Sequence, residues 1–96
     1  MSKAKASIND RIVLIVSILR LCYDEGEDIP FRNILDILEK TWHKYRALIR
    51  ELRRKYGELP PRVAISLMLR DSLWRDAVVV GCRKYLKELL QDNSIG

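Results

Sequence analysis

Between Thr41 and Gly57 the residues Tyr45, Leu48, Ile49, Leu52 and Tyr56 recur at intervals of three and four. At about 100° per residue, these five side chains fall within about 100° of arc, the width of a helix stripe that docks on a core. The spacing predicts a helix from Trp42 to about Tyr56, capped at its start by Thr41 and closed by Gly57 in the left-handed conformation. Such a segment restricts the chain to folds that give one side an apolar neighbour and leave the other side open. The open side carries His43, Arg46, Ala47, Arg50, Arg53 and Arg54. From Lys40 to Lys55 seven Lys or Arg residues face one acid, Glu51, a net +6 in a chain whose total is +5.

The flanking segments read as helices too. Phe31, Ile34, Leu35 and Leu38 fall at i, i+3, i+4 and i+7, which predicts a short helix with one apolar face. Asp28 is its candidate cap, Pro30 lies in its first turn, and Glu39, Lys40 and Thr41 form a polar turn after it. Further upstream, Ser7 with Asp10 three residues on forms a loose capping box for a helix from Ile8 to about Asp24, which Gly26 ends. That helix has one stripe of Ile8, Ile12, Ile15, Leu19 and Tyr23, and a second apolar side of Leu14, Ile18 and Leu21. A helix apolar on two sides buries both, so the second side is a candidate subunit contact.

The tail allows two readings. Val63, Ile65, Leu67 and Leu69 alternate like a strand, whereas Val63, Leu67, Trp74, Val78, Tyr85 and Leu89 suit a helix stripe. A β-hairpin at about 62–80 would turn at Arg70, Asp71 and Ser72, which lack the Gly or Asn of tight hairpins. Helix is the preferred reading, and 82–91 is helical on either. Pro60 and Pro61 separate this segment from the basic helix.

Ninety-six residues, 48% hydrophobic and 32% charged, make a single folded domain over 1–96, with 1–7 as a flexible basic lead-in. The longest apolar run, Ile12 to Cys22, is broken by Ser17 and Arg20 and is too short to span a bilayer. No cleavage site follows it, so the expected location is cytoplasmic, without membrane association. Cys22 and Cys82 lack metal-site spacing and only one histidine is present, so the cysteines are two buried thiols or one bridge. There is no His pair, loop carboxylate cluster or glycine-rich phosphate cradle, so no enzyme, cofactor or small-molecule substrate is expected.

An arginine face whose one nearby acid is Glu51, a partner for Lys55, repels itself until an anion arrives. A fifteen-residue helix is about 22 Å long and about 10–12 Å across, and the major groove of duplex DNA is about 12 Å wide. The stretch FRNILDILEKTWHKYRALIRELRRKYG, from Phe31 to Gly57, resembles the helix-turn-helix of DNA-binding regulators, including their winged-helix branch. Ile34, Leu38, Tyr45 and Leu48 match the apolar positions that fix the two helices, while Glu39, Lys40 and Leu35 depart from the family pattern. Small regulators and partition proteins of archaeal plasmids and viruses have a similar size and layout.

The resemblance implies a mainly α fold, with a helix-turn-helix core of three helices, the motif itself at 28–57, and a C-terminal helical segment; a winged-helix variant is the alternative. It further implies a homodimer on double-stranded DNA, in transcription regulation or in partition and site marking. His43, Arg46, Ala47 and Arg50 would face base edges. Arg32, Lys40, Thr41, Lys44, Arg53, Arg54, Lys55 and Arg62 would take phosphates, and Trp42 would pack at the helix start. The candidate dimer residues are Leu14, Ile18, Trp74, Val78, Tyr85 and Leu89, the last four within segment 73–91. A different class of function, an adaptor docking its basic helix on an acidic protein, fits the same charge pattern.

Overall fold

The computed structural model describes residues 7–25 and 29–95, with side chains over 7–23 and 29–91. The Asp28 cap, the Gly26 stop and the lead-in at 1–6 lie outside the described residues. Five α-helices and one 3-10 turn follow in order: α1 Ile8–Glu25, α2 Phe31–Thr41, the turn His43–Tyr45, α3 Arg46–Tyr56, α4 Pro61–Met68 and α5 Arg75–Ile95. The chain is mainly α, and no strand forms among the described residues.

The capping box at the start of α1 is formed. The Asp10 N–H donates to Ser7 Oγ at 3.1 Å, and the Ser7 N–H lies 3.4 Å from Asp10 Oδ2. Both apolar sides of α1 are covered within one chain along its middle, because α5 packs along one and α2 against another, while Ile8 and Tyr23 at the ends of the first stripe stay exposed. Leu14 and Ile18, expected at a subunit contact, are 0% exposed, as is Trp74, with Val78 at 1%. These four residues belong to the core. The sequence offered more apolar surface than a three-helix core needs, and α5 is the fourth wall that uses it.

Helices α1 and α5 run parallel, since Arg11 meets Trp74, Ile15 meets Gly81, and Arg20 pairs with Glu88 at 2.6 Å. Gly81 permits the close approach. A Cβ there would lie 2.6 Å from Ile15 Cγ2 and 2.9 Å from Ile15 Cβ, so one of the two helices would have to shift. Gly81→Ala gains about 1 kcal/mol of helix propensity but incurs overpacking of about 1–3 kcal/mol. Net destabilisation, read as a lower urea midpoint with unchanged helicity, is the expected result; stabilisation would show that the two helices slide freely.

The region expected as strands or helix is helical. Pro61 occupies the first turn of α4, where its missing N–H leaves no bond unmade. Asp71 then starts α5: its carbonyl accepts from the Trp74 and Arg75 N–H groups, and its carboxylate accepts from the Leu73 N–H at 2.9 Å. The Arg70-Asp71-Ser72 segment therefore serves as a helix start, a job suited to Asp, and the hairpin alternative at 62–80 is not formed.

Two expected helix ends differ. Thr41 does not cap α3; it is the last residue of α2, and its hydroxyl donates back to the Ile37 carbonyl at 3.4 Å. Trp42 alone breaks the helix, at φ −122° and ψ 79°, and the next turn is 3-10 before α3 begins at Arg46. Gly57 is right-handed, at φ −60° and ψ −31°, rather than left-handed. Its selection is steric: a Cβ would stand 2.4 Å from the Arg53 carbonyl oxygen. The Gly57 carbonyl accepts from the Arg32 N–H at 2.9 Å, and the Leu59 carbonyl accepts from the Phe31 N–H at 2.8 Å. The loop after α3 thereby satisfies two N–H groups at the start of α2, where no side chain caps the helix.

Candidate nucleic-acid interface

Helix α3 docks by Leu48, Ile49 and Leu52, all buried, with Tyr45 and Tyr56 half-buried at its ends. Its C-terminal half is anchored to the start of α5 by polar contacts. The Trp74 indole N–H donates to Glu51 Oε2 at 3.1 Å, the Tyr56 hydroxyl donates to Asp71 Oδ2 at 2.9 Å, and Lys55 Nζ lies 3.2 Å from the same oxygen. Lys55 also pairs with Glu51 at 3.5 Å, the one ion pair expected from the sequence. These contacts fix the rotation of α3, and so decide which of its residues face outward.

Titration of this anchor has a sign that can be worked out. Burial, reinforced by the Asp71 carboxylate, pushes the Tyr56 phenol up from 10.0 to about 12. A raised phenol pKa gives stability that is complete below pH 10 and lost as the pH climbs from about 10 to about 12. Wild-type protein should show a tyrosinate absorbance step near pH 12 that Tyr56→Phe lacks. If the step survives the substitution, the anchor is assigned to the wrong tyrosine. Burial would raise the Asp71 carboxyl, but the Leu73 N–H, the Tyr56 hydroxyl and Lys55 outweigh it and hold the group below the usual carboxylate range. That contribution is lost as pH falls through the depressed value.

The outward side carries His43, Lys44, Arg46, Ala47, Arg50 and Arg54, all exposed, with Lys40 and Thr41 exposed at the end of α2. Lys40, His43, Arg46 and Arg50 line one hollow of about 380 Å³ together with Asp36 and Glu39. An Arg46 guanidinium nitrogen lies 3.3 Å from His43 Nδ1; because guanidinium only donates, Nδ1 is the acceptor and Nε2–H points elsewhere. Trp42 packs on Tyr45, ring centroids 5.3 Å apart, as expected of a residue that fixes the start of the basic segment.

Three of the expected phosphate ligands are engaged by the protein's own acids. Arg53 bonds both Asp36, at 2.9 Å, and Glu39 on α2. Its Nε is buried without a partner, and the Glu39 bond holds the guanidinium's proton more tightly than usual. The same bond from Arg53 keeps the Glu39 carboxyl below the usual range. Lys55 is tied to Asp71 and Glu51, and Arg32 pairs with Glu58. Arg50 is only loosely held, its Nε 3.9 Å from Glu39. Lys40, Lys44, Arg46 and Arg54 form no ion pair among the described residues. Arg62 is exposed on α4 rather than on a wing, and lines a hollow with Leu19 and Cys22 of α1.

The acids on α2 were missed because the local window holds only Glu51. Their signal was present: Asp36 and Glu39 stand three apart, on the side of α2 away from Ile34 and Leu38. Among the described residues no cluster of His, Cys, Asp and Glu could hold a metal ion, and no helix is long and apolar enough to cross a membrane. No disulfide joins Cys22 and Cys82, and both thiols are half-buried. Comparison with protein families, curated proteins and solved structures finds no match for this chain.

Proposed function

We propose that the protein binds double-stranded DNA sequence-specifically, as a transcriptional regulator or a partition or site-marking protein. In this reading α2 and α3 act as a helix-turn-helix whose turn is Trp42 followed by the 3-10 residues His43–Tyr45. The carrying observation is the exposed face of His43, Arg46, Ala47 and Arg50, of which Arg50 alone meets a carboxylate, Glu39 at 3.9 Å; Lys40, Lys44 and Arg54 rim the face and form no ion pair among the described residues. Arginine donates two bonds to guanine O6 and N7, worth about 1–3 kcal/mol of discrimination per good pair. Ala47 at the centre of the face lets the helix approach base edges, and its methyl suits contact with thymine. Two copies would read half-sites about 34 Å apart.

Selection of bound sequences from a random duplex pool tests the reading. An enriched inverted repeat is expected, and Arg46→Ala or Arg50→Ala should flatten the preference at one position in each half-site by about 1–3 kcal/mol. Enrichment of no sequence, with binding to an acidic protein instead, would replace it by the adaptor reading.

A further inference from the structure

Three hollows on the surface share their walls. His43 lines the one that holds Lys40, Arg46 and Arg50, and it also lines a second, of about 420 Å³, with Trp42, Lys44 and Tyr45. Trp42 in turn borders a third, of about 180 Å³, whose other walls include Val13, Val16 and Arg20 of α1 and Lys84 and Glu88 of α5. A continuous track therefore runs from Arg50, past the start of α3, to Lys84. Along it the acids are already taken. Asp36 and Glu39 are held by Arg53, and Glu88 Oε1 accepts from Arg20 Nη2 at 2.6 Å and from Arg20 Nε at 3.1 Å. That last pair decides the state of Lys84. Glu88 stands four residues on, at helical pairing distance, but Lys before Glu is the weaker order and Arg20 has claimed the carboxylate. Each hollow thus keeps one exposed lysine, Lys40, Lys44 or Lys84, that forms no ion pair among the described residues.

We infer that this track carries the sugar–phosphate backbone of one DNA strand across the Trp42 end of α3, and that Lys84 of α5 binds a phosphate there. The inference rests on the reading of α3 as a groove-binding helix and carries the contact beyond the helix-turn-helix. Val13, 39% exposed, and the half-buried Trp42 give the third hollow an apolar floor that suits the C–H face of a deoxyribose. The ammonium group at its rim suits the phosphate. A lysine fits this place because its flexible stem and point charge reach a phosphate oxygen without demanding a fixed fork geometry. Sequence alone did not single out Lys84, since only the packing of α5 along α1 brings it beside Trp42. Its neighbours lie elsewhere. Arg83 and Lys87 are exposed but outside the hollow, and Tyr85 and Leu89, offered by the sequence for a subunit contact, are half-buried.

The test is fluorescence anisotropy of a labelled mixed-sequence duplex titrated with the full chain between about 50 and 200 mM salt. Lys84→Ala should lower the slope of log affinity against log salt by about 0.9 per chain, the share of one phosphate. Arg83→Ala removes the same charge one residue earlier, about 100° round the helix, and should leave the slope as it is. Both side chains are exposed, so circular dichroism should match wild type for each. An unchanged slope for Lys84→Ala would mean that Lys84 touches no phosphate, and an equal fall for both variants would mean that only overall charge counts; either overturns the contact. Acetylation of lysines, mapped by mass spectrometry with and without the duplex, gives a second measure. Lys84 should be shielded and Lys87 should not, and equal reactivity of the two in the complex would count against the track. The DNA reading fails separately: a wild-type chain that binds no duplex removes it and this contact together, whereas loss of the Lys84 effect alone leaves the roles of Arg46 and Arg50 standing.

Discussion

Trp74→Ala should leave the protein close to unfolded in dilute buffer. Trp74 is fully buried where α1, α3 and α5 meet, with the Arg11 guanidinium 4.7 Å from its ring centroid and its N–H on Glu51. Truncating a buried Trp costs about 3–5 kcal/mol, and a domain of this size has a total of about 5–15 kcal/mol. Two charged groups are also stranded. Glu51 loses a donor, and Arg11, whose Nη1 is already a buried donor without a partner, loses the ring it lies on. Urea unfolding monitored by circular dichroism should show a midpoint reduced to a small fraction of the wild-type value. Trp74→Phe keeps most of the volume and loses the indole donor, so its expected loss is smaller, about 1–3 kcal/mol. If Trp74→Ala stays as stable as wild type, the junction of α3 with α5 is not what holds the fold.

This expectation also shows where the sequence was readable and where it was not. Helices α1, α2 and α3 were legible because each carries an apolar stripe at helical spacing that needs only its own residues to be recognised. Ile34, Leu35 and Leu38, with Leu48, Ile49 and Leu52, are buried as that spacing requires. The destination of Trp74 was not legible. Its partners Arg11 and Glu51 are distant in the chain, and an apolar residue on a helix reads equally well as core or as subunit contact. The same ambiguity put Leu14, Ile18 and Val78 at an interface, when α5 lies along α1 and closes the core.

The candidate site was legible in position and partly misread in charge. Helical periodicity correctly turned His43, Arg46, Ala47, Arg50 and Arg54 outward. It could not show that α2 crosses α3 with Asp36 and Glu39 beside Arg53. Pairing between helices depends on their crossing, and no sequence window contains it. The consequence is a division of labour within one arginine-rich helix. Arg53 joins α2 to α3 and keeps the crossing fixed, whereas Arg54, one residue on and about 100° round, projects into solvent.

That division makes salt dependence the most demanding test of the DNA reading. On this face, among the described residues, Lys40, Lys44 and Arg54 are three cations without an ion pair, so six in a dimer, before Arg46 and Arg50 are added. With about 6–10 phosphate contacts, affinity for a duplex should fall about 10³- to 10⁵-fold between about 50 and 200 mM salt, through counterion release. Arg54→Ala should lower the slope of log affinity against log salt by about one per chain and weaken all sequences alike. Arg53→Ala should behave differently. Its charge is already balanced by Asp36 and Glu39, so the slope should hold while the urea midpoint falls, because Glu39 loses its closest donor and α2 its tie to α3. Equal slope changes for the two variants would mean that Arg53 releases its acids to reach phosphate, and that the crossing of α2 and α3 is remade on binding rather than set beforehand.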